Sequence, residues 1–211
     1  QCGLGADVKQ DVLTPTPIKS LKHITKIHCG QNFSICVDIE GAVYAFGQNN
    51  MGQLGIGSEQ VGAFAIPIKI PAFEMGKTMS ISIQNIACGM NHVCCLDKEG
   101  RVYTFGCNKY GRCGQSGSAH LFSPQLVEIP EEDKIVDIFC GNFHTLLLTE
   151  KNECFCFGSN EYWQISRKVE EKEIEKPYKV TKEELGENIT KPIVDVICGF
   201  ETTVLMLQQA S

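Results

Sequence analysis

"GAVYAFGQNNMGQLGIG", Gly41 to Gly57, carries too many glycines for a helix and too regular a pattern for a disordered linker. Part of it returns as "GRVYTFGCNKYGRCGQSG" from Gly100 to Gly117, and a weaker echo, "NECFCFGSNEYWQISRK", begins at Asn152. Cys-Gly pairs stand upstream of these hairpins at 29–30, 88–89 and 140–141 and recur at 198–199, spaced by 59, 52 and 58 residues. Phe-Gly pairs at 46–47, 105–106 and 157–158 keep the same offsets, 59 and 52. Two landmarks moving together define an internal repeat, and a period of roughly 50 residues is that of propellers and arrays.

Each unit reads as four short strands. The first is apolar and ends at Cys-Gly ("ITKIHCG", "IQNIACG", "IVDIFCG", "IVDVICG"), and the second follows two or three residues later ("FSICVD", "HVCCLD", "HTLLLT", "TTVLML"). Glu40-Gly41, Glu99-Gly100 and Lys151-Asn152 then supply residues that tolerate positive φ in a tight turn. The third strand is "AVYAFG", "RVYTFG" and "ECFCFG". The fourth contains or follows proline ("TPIKSL", "IPIKIP", "SPQLVEI", "KPYKV"), which suits an outer edge where a missing N–H costs least. Strands two and three are apolar on both faces, as in Val43 and Ala45 against Tyr44 and Phe46, so both faces are expected to be buried. A small sheet covered on both sides and repeated about an axis is a propeller blade. Asn49, Asn108 and Asn160 recur two residues after each Phe-Gly, placed to hydrogen-bond the backbone of the following turn.

The 211 residues suffice for one domain or for part of a larger one. No apolar run approaches the ~18 residues a membrane span needs, and no membrane partner is expected. A net charge of −6 disfavours nucleic acid or chromatin as a partner. Gln1 is not a translation start, so the chain is expected to be processed or cut from a longer protein. Of twelve cysteines, Cys29, Cys88, Cys140 and Cys198 hold one repeat position, and no C-x-x-C occurs. They are read as reduced, structural thiols, which favours the cytoplasm, with the nucleus as the other compartment. The sequons at Asn32 and Asn188 shift this reading little towards secretion.

These residues resemble the regulator of chromosome condensation repeat. The resemblance rests on Cys88-Gly89-Met90-Asn91-His92, Cys140-Gly141-Asn142-Phe143-His144-Thr145, the Gly-x-Val-Tyr-x-Phe-Gly hairpin, and Asn50-Met51-Gly52-Gln53-Leu54-Gly55. It implies a β-propeller, seven-bladed in most members. Gln-Cys-Gly-Leu-Gly at the start looks like the tail of "GQLGIG", and the third unit departs from the pattern, with Trp163-Gln164-Ile165-Ser166 for Gly-Gln-Leu-Gly. The expected architecture is all-β, a partial propeller: an outer strand in 1–23, blades at 24–71, 82–129 and 135–181, and two strands of an incomplete blade in 192–211. Such an arc exposes apolar faces at both ends, to be covered by further blades of the natural chain or by a second copy.

The structural repeat positions are Cys29, Gly30, Gly47, Cys88, Gly89, His92, Gly106, Cys140, Gly141, His144, Gly158, Cys198 and Gly199. His92 and His144 share one position, but Phe33 and Thr202 hold it elsewhere, so no ligand ring forms; both are read as bonding backbone between blades. His23, His28 and His120 lack ligand spacing. The charged run from Arg167 to Glu187 reads as a solvated loop or short surface helix more than a docking segment. Phe73, Met75 and Met79, in the loop from Pro71 to Ser82, either tuck back onto a blade or form a partner contact, and are the candidate partner-binding residues. No catalytic motif, cofactor or metal site is expected. The functional expectation is a protein-interaction scaffold. The alternative the resemblance implies is guanine nucleotide exchange on a Ran-type small GTPase, although no wedge-like insert stands out in the sequence.

Overall fold

The computed structural model describes residues 2–7, 11–57, 60–73, 81–181, 184 and 191–208. Three four-stranded antiparallel sheets follow one another in simple meander order. The first holds β1 (Ile24–Cys29), β2 (Phe33–Asp38), β3 (Val43–Gln48) and β4 (Ala63–Lys69). The second holds β5 (Ile83–Cys88), β6 (His92–Asp97), β7 (Val102–Gly106) and β8 (Leu121–Leu126). The third holds β9 (Ile135–Cys140), β10 (His144–Thr149), β11 (Cys154–Ser159) and β12 (Glu173–Val180). A two-stranded sheet, β13 (Ile193–Cys198) and β14 (Thr203–Leu207), closes the series.

The turn between the second and third strands forms as its residues dictate. Gly41, Gly100 and Asn152 take φ of 85, 84 and 63°. A preceding side chain caps each turn: Asp38 and Asp97 carboxylates accept from two backbone N–H groups apiece, and Thr149 accepts from Glu153. Pro67, Pro124 and Pro177 all fall in the outer strands β4, β8 and β12.

The sheets stack face to face with their first strands innermost. Gln31 N–H donates to Met90 O (3.1 Å), Met90 N–H to Asn142 O (3.4 Å) and Asn142 N–H to Gly199 O (3.2 Å), a step from each blade to the next. Lys26 Nζ reaches Asn85 Oδ1 (3.3 Å), and Asn85 Nδ2 reaches Asp137 Oδ1 (2.7 Å), repeating the step lower on the same strands. The four Cys-Gly points thus gather about a common centre.

Alternate residues of one strand serve two interfaces, which explains why no polar face shows in the pattern. Val93 and Cys95 of β6 pack with Phe33, Ile35 and Val43 of the first blade. Cys94 and Leu96 pack with Ile135, Leu147 and Phe157 of the third. All of β6 and β7 is buried, and each large apolar side chain so covered contributes about 1.5–3 kcal/mol.

The outer strand expected within 1–23 does not form among the described residues, because no strand lies beside Pro17–Leu21 to pair with it. This segment instead covers the outer half of the first blade. A Cβ on Gly3 would lie 3.0 Å from the Phe46 ring, and Gly5 N–H donates to Ala65 O (2.9 Å). Within the charged run, Glu173–Val180 is the outer strand expected at "KPYKV", begun three residues earlier, with Ile174 and Val180 facing inward. The ends of the arc expose apolar side chains, Ile27 on one side and Ile197, Val204 and Met206 on the other.

Candidate protein-binding face

The Cys-Gly-x-x-His element is a joint between blades. A Cβ on Gly89 would lie 2.1 Å from His92 Cε1 and 2.6 Å from Gly141 O of the next blade; Gly141 stands in the same relation to His144 and Gly199 O. The glycine is there for close approach. The ring it admits is fully buried, and His92 Nε2 meets Thr145 Oγ1 of the next blade at 2.9 Å. Thr145 Oγ1 donates to Arg112 O (2.9 Å), so it accepts from the imidazole N–H. His144, Thr203 and Gln164 O repeat this chain with the same distances. The histidines therefore join blades through a threonine hydroxyl, where backbone had been expected. The first joint is apolar: Phe33 replaces histidine, and Val93 replaces the threonine. Gly47, Gly106 and Gly158 lie at φ of 107, 105 and 116°, where strand three passes over the start of strand two.

Each buried asparagine folds the loop after it. Asn108 Oδ1 accepts from Cys113 N–H (3.0 Å), and its amide donates to Gln115 O (2.8 Å) and Gly117 O (2.6 Å). Asn49 and Asn160 bond their loops in the same way. In the first two loops, Gly52 and Gly111 lie against the outer strand of the next blade, leaving no room for a Cβ. Trp163 holds that position in the third unit at φ 57° and is 61% exposed, since no outer strand lies there among the described residues. Ser166 holds the next glycine position and donates to Glu184 Oε1 (2.8 Å), which also accepts from Tyr178 (2.7 Å). Burial pushes the Glu184 carboxyl up, but hydrogen bonds from the Thr181 backbone, Tyr178 and Ser166 outweigh it and hold the group at about 2. A hollow of about 430 Å³ opens beside Trp163, Ser166, Glu184 and β14.

The loops joining strands one to two and three to four lie at the same end of every blade, and there the rings collect. Tyr110 meets Phe143 edge-on at 6.0 Å, and Phe143 meets Phe200 at 5.1 Å. The buried Arg112 guanidinium lies 4.8 Å from the Phe143 ring and 5.3 Å from Tyr110, fixed by its Nε–H bond to Lys109 O (2.8 Å). Phe200, Tyr162 and Trp163 stand more than half exposed. The loops after Cys-Gly surround an axial hollow of about 320 Å³ that Phe200 and Met90 line. Sequence reasoning passed over these rings. The signal was present: Met51, Tyr110 and Tyr162 occupy one position, two residues after the buried asparagine.

The profile of the Regulator of chromosome condensation (RCC1) repeat matches residues 1–37, 40–96 and 99–148, and a second profile of the repeat matches 24–53, 83–112 and 135–164. The chain belongs to the RCC1 repeat family. It is 32% identical over 161 residues to mouse serine/threonine-protein kinase Nek9, covering 75% of this chain and 16% of that one. It is 32% identical over 164 residues to the ultraviolet-B receptor UVR8 of Arabidopsis thaliana (77% and 36%). It is 30% identical over 200 residues to the RCC2 homolog of Xenopus laevis (82% and 37%). The chain thus spans well under half the length of each. Among solved structures, Prp20p of Saccharomyces cerevisiae superposes with a TM-score of 0.78 at 21% identity, over 94% of this chain and 47% of that one. Human WBSCR16 does so with a TM-score of 0.70 at 21% identity (88% and 45%).

Within this RCC1 repeat arc, the loop residues chosen as partner contacts fare unevenly. Phe73 is 1% exposed and packs edge-on against Tyr103 at 5.9 Å, so it tucks back onto the blade and offers no surface. Met75 and Met79 lie outside the described residues. The twelve cysteines are unbridged; Cys2 and Cys29 are exposed, and Cys36, Cys94, Cys95, Cys107, Cys113, Cys154 and Cys156 are buried. Among the described residues no cluster of His, Cys, Asp or Glu is arranged to hold a metal ion.

Proposed function

We propose that the arc is a protein-binding scaffold that engages its partner through the loop face carrying Tyr110, Phe143, Phe200, Tyr162 and Trp163. The observation behind this reading is the edge-on series Tyr110–Phe143–Phe200, held from below by buried Arg112. Aromatic side chains dominate binding energy at interfaces, and rings already fixed by neighbours lose little freedom on binding. The proposed compartment is the cytoplasm, with the nucleus second, in keeping with unbridged cysteines.

A photocrosslinker at Phe200 should capture the partner, whereas one at Glu99, on the turn at the opposite end of the blade, should not. Phe200→Ala with Tyr162→Ala should weaken binding at least tenfold with an unchanged melting temperature. Capture from Glu99 alone would overturn this reading.

The finer reading is nucleotide exchange on a Ran-type small GTPase. Prp20p, of the same fold, was characterised for its binding to Gsp1p and histones. An exchange factor binds the nucleotide-free GTPase better than the loaded one and needs no proton donor. Faster release of a fluorescent GDP analogue from a Ran-type GTPase would support exchange; partner capture without acceleration leaves the scaffold alone.

A further inference from the structure

Four residues after each buried asparagine, the three loops carry Gln53, Arg112 and Gln164, and all three side chains are buried. The glutamines are neutral and close their own loops. Gln53 Oε1 accepts from Met51 N–H (2.8 Å). Gln164 Oε1 accepts from Tyr162 N–H (2.9 Å), and its amide donates to Ser159 Oγ (3.2 Å). Arg112 puts a full positive charge in the same place, with its residue only 3% exposed.

Among the described residues no carboxylate answers that charge, and Arg112 forms no ion pair. Burial pulls the guanidinium down, and the groups that oppose this are Cys107, Cys113 and Tyr110. Taking a charge out of water without a counterion is costly, and the faces of Phe143 and Tyr110 return only part of that cost. The guanidinium also has donors to spare. Nε–H is spent on Lys109 O (2.8 Å), and Nη1 donates to Asn142 O (3.4 Å). Among the described residues Nη2 donates to nothing, and it is not sealed from solvent.

We infer that Arg112 is the anchor for an aspartate or glutamate side chain of a protein partner, which pairs with Nη2 beside the Tyr110 and Phe143 rings. The inference rests on the loop face being the binding surface and adds the charge of what binds there. Lys109 is exposed, with Nζ 4.8 Å from the Tyr110 ring, and places a second cation at the rim. On a chain of net charge −6, such a spot fixes where an acidic segment can settle. A partner carboxylate supplies the missing counterion and takes up the free donor in one contact.

The test exposes the fluorescently labelled chain to an array of acetylated, amidated heptapeptides. Their flanks vary, and each is made in a matched set with Asp, Asn or phosphoserine at the centre. The tightest binders should be Asp peptides, each stronger than its Asn match by about tenfold or more. Arg112→Gln copies the other two loops and removes a buried charge, so it should melt no lower than the parent while binding Asp and Asn peptides alike. Phe200→Ala with Tyr162→Ala should weaken every peptide that binds. Peptides that need Phe200 and Tyr162 but show no preference for Asp, or that prefer phosphoserine, would overturn the carboxylate anchor and leave the loop face standing. Peptides indifferent to Phe200 and Tyr162, or an array without binders, would overturn both. A marked drop in the melting temperature of Arg112→Gln with the Asp preference intact would assign Arg112 to bracing the loop instead.

Discussion

Gly89→Ala tests the joint between blades directly. The added methyl would lie 2.1 Å from His92 Cε1, 2.4 Å from its Nδ1 and 2.6 Å from Gly141 O. The ring cannot retreat without breaking its bond to Thr145, and the carbonyl belongs to the next blade's backbone. Overpacking of this kind costs about 1–3 kcal/mol, and a lost buried hydrogen bond adds about 1 kcal/mol. The expected loss is roughly 2–4 kcal/mol, or about 5–15 °C in melting temperature at this chain length. Gly199→Ala is the control: its methyl meets only Thr202, with Oγ1 at 2.7 Å and O at 3.8 Å, and a hydroxyl can rotate away. That variant should lose less than about 1 kcal/mol. Urea denaturation followed by tryptophan fluorescence and circular dichroism measures both. Adding His92→Ala to Gly89→Ala should restore only part of the loss, since the Gly141 carbonyl still blocks the methyl. Equal losses for Gly89→Ala and Gly199→Ala would refute the idea that glycine is needed here for close approach between blades.

Asn108→Ala removes one accepted and two donated bonds from a buried loop, and should cost roughly 2–4 kcal/mol in the same assay. Burial, with the neighbouring His92, pushes His144 down to about 4 in the folded state. The unfolded chain, with its histidine near 6.5, binds the extra proton first. Stability from this group is therefore complete above pH 6.5 and lost as pH falls towards 4, by roughly 3 kcal/mol. His144→Phe with Thr203→Val should flatten that part of the pH profile, and an unchanged slope would count against a buried neutral imidazole. Trp163→Gly should change stability by less than about 1 kcal/mol in thermal melts, against about 3–5 kcal/mol for losing a buried tryptophan, because the ring is mostly exposed and its backbone is left-handed.

Much of the fold was legible because the information is local and repeated. Strand limits, turn glycines and the asparagine-folded loops depend on backbone geometry within a few residues, and three copies of the same spacing reinforce one another. The covering of Phe46 by Gly3 was also readable, since "QCGLG" matches the tail of a known unit. The described residues before Ile24 form no strand, because pairing depends on a neighbour that local pattern does not specify. Phe73 was left between tucking back onto a blade and contacting a partner because a loop phenylalanine looks the same in sequence whether it faces solvent or Tyr103.

What the chain determines by itself is which backbone segments pair, because antiparallel neighbours are joined by short turns whose chemistry is written in adjacent residues. The tertiary structure decides which side chains meet across blades: imidazole on threonine, and Tyr110, Phe143 and Phe200 at one end. These partners lie tens of residues apart, and only the rotation and stacking of whole sheets bring them within contact distance.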